Sequence, residues 1–252
     1  MEFQVAIPSY NRQKKLRDQT LALLESEGFD PARITIFVAD EEERKKYEEV
    51  LKPGTYSKLV VGVLGLAQQR NFIQDYYPQD ELILQLDDDI KKVKMLHQRP
   101  LIPLMNQLFA EAKKEGCNLW GIYPVNNLFY CKERVVVGKM FIVGCFWGMI
   151  NKKDFILPSV SIGEDKWRTL FRYVTDGATL RYEGMCPDTV YNAKGGLYEH
   201  RNLHFTQETR HVLDDFPTLC HLKTKKNGKP DIHWKPQTKK IYSLYPADDC
   251  KI

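Results

Sequence analysis

The stretch Leu82-Ile83-Leu84-Gln85-Leu86-Asp87-Asp88-Asp89-Ile90 decides how this chain is read. A short run rich in Leu and Ile stops abruptly at three carboxylates. The run has the length and composition of a buried strand. Three adjacent aspartates cannot share a core, because unpaired buried charge is too costly, so they belong where the strand leaves the sheet. On an extended backbone Asp87 and Asp89 point one way and Asp88 the other. Two hard oxygen ligands at a strand end suit Mg²⁺ or Mn²⁺, above all when phosphates complete the shell. The alternative is a solvated acidic turn.

Upstream, strands and helices alternate. Phe3–Ile7 reads as a strand that stops at Pro8. An amphipathic helix from about Gln13 to Glu27 follows, closed by Gly28. A second strand over 33–39 ends at Asp40, and a helix over 41–51 starts acidic, as the macrodipole prefers. A third strand over 58–63 leads into Gly65-Leu66-Ala67-Gln68-Gln69-Arg70-Asn71, the opening of a helix toward Tyr77. This alternation predicts an α/β fold with a Rossmann-like, mostly parallel central sheet. Neither G-x-G-x-x-G nor a Walker A sequence follows a strand. The first turn instead offers Ser9, Tyr10, Asn11 and Arg12, a set able to hold a base and ribose, and Asp40 can accept hydrogen bonds from a base or ribose. Asn11 as a helix N-cap and Asp40 as the cap of the next helix are the structural alternatives.

Composition sets outer limits. The chain has 252 residues, 43% hydrophobic and 28% charged, and a formal net charge of +4. That is one large domain or two small ones, with too little charge to imply a polyanion partner by itself. No apolar run is long enough to span a membrane, and no secretory signal opens the sequence. Six scattered cysteines without a CxxC pair predict reduced thiols and a cytoplasmic protein. Lysines crowd the C-terminal part, at 223, 225, 226, 229, 235, 239 and 240.

Three motifs in order, Ile7-Pro8-Ser9-Tyr10-Asn11-Arg12, Gly65-Leu66-Ala67-Gln68-Gln69-Arg70-Asn71 and Leu86-Asp87-Asp88-Asp89, resemble the family 2-type glycosyltransferases of the GT-A fold. Gln69 stands where Ala is usual. More narrowly, G-L-A-x-x-R-N followed by L-D-D-D resembles the TET/JBP-associated glycosyltransferases of phages and kinetoplastids, thought to act on hydroxymethylated pyrimidines in DNA. The resemblance implies a metal-dependent transfer from a nucleotide-sugar, UDP-sugar favoured, to a hydroxyl. It makes residues 1–90 the nucleotide-sugar half of one GT-A domain and 91–222 its mixed acceptor-side, catalytic half. Residues 223–252 form a basic extension. Pro8 to Arg12, Asp40, Gly65, Leu66, Arg70, Asp87 and Asp88 become donor-binding candidates. Asp87 and Asp89 become metal ligands, and Arg70 either contacts the donor or braces the aspartates by a salt bridge.

The second half is less regular. A helix is expected over 102–114 and a strand over 119–124. Residues 135–140 and 141–150 read as paired strands joined at Gly138-Lys139. Trp147 is an acceptor-stacking candidate or a core residue. Glu164-Asp165 opens a helix, and in the GT-A pattern one of the two carboxylates is the base. Asp165 is the first candidate and Glu164 the second, against ordinary helix capping; an Asp165 base with in-line attack gives inversion. Lys194, Gly195 and Gly196 offer amides and charge to a phosphate or sugar. His200 and His204 are candidates for a third metal ligand, with surface or acceptor-side positions as the alternative. Lys225 and Lys226, beside His233 and Trp234, are candidates for contacts to DNA with hydroxymethylated bases, with a solvated tail as the alternative. Acceptors that are glycans, lipids or small molecules stay open. So do two other classes, a sugar-1-phosphate nucleotidyltransferase and a non-catalytic nucleotide-binding module. The missing Gly-rich first turn argues against the former.

Overall fold

A computed structural model describes residues 3–158, 163–189, 210–224 and 230–245. The first ninety residues fold as the alternation predicts. Strand β1 (Gln4–Pro8) is followed by α1 (Gln13–Leu16), a π-helical segment (Arg17–Leu21) and α2 (Ala22–Ser26). Then come β2 (Ile34–Val38), α3 (Glu41–Glu48), β3 (Lys58–Val61), α4 (Leu66–Tyr76) and β4 (Leu82–Leu86). β1 pairs in parallel with β2 and β4, and β2 with β3. All five residues of β2 are buried, as expected for a strand covered on both faces.

Downstream lie β5 (Lys92–Met95), α5 (Leu101–Lys114), β6 (Leu119–Ile122), β7 (Val135–Lys139) and β8 (Phe146–Ile150). They are followed by α6 (Glu164–Asp176), β9 (Thr179–Tyr182), β10 (Met185–Asp188), α7 (Arg210–Asp215), β11 (His221–Thr224), β12 (Pro230–His233) and β13 (Gln237–Tyr242). Among the described residues the main sheet has nine strands, in the order β13-β7-β9-β6-β8-β4-β1-β2-β3. Of these nine strands, β7 and β8 run against the others. Helix α5 buries Leu101, Leu104, Met105, Leu108, Phe109 and Ala112, the spacing of one helical face.

Two expectations are corrected. Segments 135–140 and 141–150 are not a hairpin: β7 pairs β9 and β13, while β8 lies antiparallel between β4 and β6. Phe146 to Ile150 are buried throughout, so this apolar strand takes the sheet centre, and residues 140–145 carry the chain there as loop. The described residues of the basic C-terminal part do not form a separate extension. β13 forms the sheet edge against β7, and Trp234 is buried against Phe141, ring centroids 5.8 Å apart. Ile232 and Trp234, between the lysines, are buried, which removes Trp234 from any stacking surface.

Candidate active site

β1, β2 and β4 are parallel, so their carboxyl ends share one edge, where open α/β sheets bind ligands. A cleft of about 610 Å³, open to solvent, lies there. Pro8, Ser9, Tyr10, Arg12, Gly65, Leu66, Asp87 and Asp88 all line it. Three turns distant in sequence are thus joined. Gly65 opens α4 with φ of 100°, a region costly for a residue with Cβ.

The first turn is wired to the aspartates. Ser9 Oγ donates to Asp88 Oδ2 at 2.6 Å. Arg12 Nη1 donates to Asp88 Oδ1 at 3.2 Å and to Asp89 Oδ2 at 3.1 Å. Lys15 stands 3.8 Å from Asp89 Oδ2, and Thr189 Oγ1 donates to Asp89 Oδ1 at 2.8 Å. Asp87 instead accepts from Arg70 Nη2 at 3.1 Å. The expectation that Asp87 and Asp89 share a side, with Asp88 turned away, is therefore not met. β4 ends at Leu86 and the chain turns at Asp88-Asp89, so strand alternation no longer applies. Asp88 and Asp89 share Arg12, and Asp87 stands apart.

Asp87 is the most open of the three, its side chain 34% exposed. Burial of the carboxyl against the cleft wall pushes it up to about 7, beyond what Arg70 offsets, with Asp89 and Asp88 adding repulsion. Burial also raises Asp88, against the pull of Arg12 and the Ser9 hydrogen bond. Among the described residues no group of three or more His, Cys, Asp or Glu forms a metal cage. A cation at Asp87 would therefore draw further ligands from a diphosphate and water, as Mg²⁺ sites commonly do. Both oxygens of Asp89 are already engaged, so ligation there requires Arg12 and Lys15 to give way.

Arg70 is almost fully buried. Its Nε donates to Glu164 Oε1 at 3.1 Å, Nη1 to Gln85 Oε1 at 2.9 Å and Nη2 also to Gly144 O at 2.8 Å. It braces the aspartate turn and does not line the cleft. Glu164 accepts a second guanidinium, Arg168 Nη1, at 2.8 Å. The second candidate base is thus held between two buried cations. Asp165 is half-buried, and its Oδ1 accepts the Lys166 N–H at 2.8 Å. Burial and the neighbouring Glu164 raise its pKa.

The remaining candidates divide clearly. Asp40 caps α3, accepting the Glu43 N–H at 2.8 Å, while its neighbour Ala39 lines the cleft. Asn11 is not an N-cap; that position is Arg12. Asn11 has φ of 53° and donates its N–H to Glu43 Oε2 at 2.6 Å. Trp147 is 2% exposed, stacked under Arg168 at 3.6 Å, and cannot reach an acceptor. Lys194, Gly195, Gly196, His200, His204, Lys225 and Lys226 lie outside the described residues.

Sequence reading missed three contributors. Gln69, the departure from the usual Ala, donates to Val38 O at 3.0 Å and accepts from Val63 N at 2.8 Å, forming a cleft wall. Tyr47 OH bridges Ser9 Oγ at 2.6 Å and Arg12 N at 3.2 Å. Gln85 orients Arg70; a lone amide in an apolar strand was its only signal.

No protein-family model and no curated protein matches this chain. Solved structures do. S. aureus TarS superposes with a TM-score of 0.54 at 15% identity, over 86% of this chain and 40% of that one. TarS 1-349 in complex with UDP gives 0.51 at 16% identity, over 84% and 74%. Glucosyl-3-phosphoglycerate synthase from Mycobacterium tuberculosis, in complex with Mn²⁺, UDP and glucosyl-3-phosphoglycerate, gives 0.52 at 9% identity, over 96% and 89%. The chain spans only 59% and 40% of two of the TarS chains it matches. At these identities the likeness establishes the fold, which is that of GT-A glycosyltransferases.

Proposed function

We propose that this chain is a nucleotide-sugar-dependent glycosyltransferase that moves a sugar onto an acceptor hydroxyl. The observation carrying this is the cleft: Ser9 and Arg12 tied to Asp88, Asp87 open beside them, and the Gly65-Leu66 turn opposite, all at the carboxyl edge of parallel strands. Two of the structural neighbours are described with UDP, one of them also with Mn²⁺.

In this reading Tyr10, Arg12, Gly65 and Leu66 hold the nucleoside diphosphate, and Gln69 fixes the wall behind them. Asp87, joined by Asp89 if Arg12 shifts, would hold Mn²⁺ or Mg²⁺. When bound, such a cation stabilises the negative charge that develops on the leaving diphosphate oxygen. Asp165 takes the proton of the acceptor hydroxyl as its oxygen attacks the anomeric carbon. Its raised pKa favours that role over that of a fully stabilised anion. Attack opposite the leaving group inverts the anomeric centre.

For the acceptor we infer a 5-hydroxymethylpyrimidine in DNA, with UDP-sugar as donor. The support is the narrower resemblance of Gly65–Asn71 and Leu86–Asp89. Such a base must be flipped out of a duplex or presented single-stranded to reach a cleft of this kind. A radiolabelled panel of UDP- and GDP-sugars, with and without Mn²⁺, is offered hydroxymethylated DNA, plain DNA and a glycan mixture. Label on hydroxymethylated DNA alone is the expected result. Label on a glycan overturns the DNA acceptor, and no transfer or donor hydrolysis with any sugar overturns the enzyme.

A further inference from the structure

Helix α6 carries charge on its inner face. Glu164, Arg168 and Arg172 are all buried, where an amphipathic helix normally places apolar side chains. Arg172 is accounted for by Asp154, at 2.9 and 2.6 Å, and by Asp176 at 3.6 Å. Glu164 and Arg168 belong to a different construction.

Glu164 lies between two guanidiniums, Arg70 through Oε1 and Arg168 through Oε2. Arg168 lies 3.6 Å over the Trp147 ring, and among the described residues its Nε and Nη2 have no hydrogen-bond partner. A buried guanidinium left partly unpaired is costly, and burial lowers its pKa to about 10. Glu164 and the Trp147 face are what hold it. Arg70 in turn spends its remaining nitrogens on Gln85, Gly144 O and Asp87. The result is an unbroken line, Asp87–Arg70–Glu164–Arg168–Trp147, crossing from the cleft to the first turn of α6. Asp165 is the next residue on that turn. Gly144 allows the close packing: a Cβ there would lie 3.0 Å from Glu164 Oε1, 3.4 Å from Asp165 Cβ and 3.6 Å from Arg70 Nη2.

We propose that Glu164 is a positioning residue: held between Arg70 and Arg168, it fixes the start of α6 against the aspartate turn and so sets where Asp165 stands relative to a donor at Asp87. The proposal rests on the glycosyltransferase reading above. Glu164 acts by charge and shape and takes no proton.

The test compares wild type, Glu164→Gln, Arg168→Met and the double variant. The readouts are donor turnover, donor KM, UDP binding by calorimetry, and melting temperature. Glu164→Gln leaves two buried guanidiniums without their shared counter-charge. Its kcat should fall on the order of 10²-fold through misplacement of the base, with a smaller change in donor KM. In the double variant the surplus cation is gone, and the unbranched Met still covers Trp147. That variant should regain about tenfold in kcat over Glu164→Gln, the size of coupling that contacting residues show. If it regains stability and UDP binding but no turnover, the carboxylate itself is needed at the substrate and the proposal is overturned. An unimpaired Glu164→Gln also overturns it. If wild type turns over no nucleotide-sugar, the functional reading fails separately. The clamp is then judged on melting alone, and it falls if the double variant melts no higher than Glu164→Gln.

Discussion

Thr20 Oγ1 donates to the Asp87 carbonyl at 2.7 Å and accepts the Ile90 N–H at 3.0 Å. One fully buried hydroxyl thus closes the aspartate turn from beneath. Thr20 sits in the π-helical segment Arg17–Leu21, and such segments, rare overall, recur at functional sites. Thr20→Val keeps the shape but leaves both backbone groups unpaired. It should cost ~1–3 kcal/mol in stability by denaturant titration, and weaken UDP binding, because unmade buried hydrogen bonds carry that penalty.

Asp87 and Asp88 should separate by experiment. Asp87→Asn should abolish the metal dependence of UDP binding while leaving the fold intact, because Asp87 is the open carboxylate. Asp88→Ala removes one partner each from Ser9 and Arg12. It should lower stability by ~1.5–3 kcal/mol, the worth of hydrogen bonds to charged groups. Calorimetric Mn²⁺ titrations with UDP, paired with thermal melts, distinguish the two. Unchanged Mn²⁺ dependence in Asp87→Asn would remove Asp87 from the metal site.

Asp165→Asn keeps the size of the side chain and its hydrogen bond to Lys166 but cannot accept a proton. Donor binding should persist while transfer drops by ~10²–10⁴-fold, the usual contribution of general-base catalysis. A loss confined to donor KM places Asp165 in the donor site instead.

Glu183 provides a pH test away from the cleft. Burial pushes its carboxyl up, but hydrogen bonds from Arg181 and from Arg134 at 2.7 Å, with their charges, outweigh this and hold it below its ordinary value of 4.5. A carboxyl depressed in the folded state adds stability above 4.5, and that stability is lost as pH falls below it toward the folded value. Melts between pH 6 and about 3 should show a steeper acid loss in wild type than in Glu183→Gln. Equal slopes would mean that the ion pairs with Arg134 and Arg181 contribute nothing to stability.

Much of the cleft lining was legible from sequence because its signals are local. Apolar runs of strand length, each ended by a polar turn, placed Pro8 to Arg12, Gly65-Leu66 and Asp87-Asp88 at carboxyl ends. Parallel pairing then brings such ends to one edge by geometry alone. The alternation of strand and helix was equally local, and β1 to β4 form where it placed them.

Tertiary structure alone decided the rest, because those features depend on partners far away in sequence. Leu86 could not reveal that the strand ends there and that Asp88 turns back to Ser9, 79 residues earlier. Glu164 read as an ordinary helix-start carboxylate until Arg70, 94 residues earlier, reached it. β8 looked like half of a hairpin with β7, yet its fully apolar faces are better covered between β4 and β6 than at an edge. Trp147 became core for the same reason. Burial selects among locally equivalent readings, and it is set by the whole sheet rather than by any one segment of it.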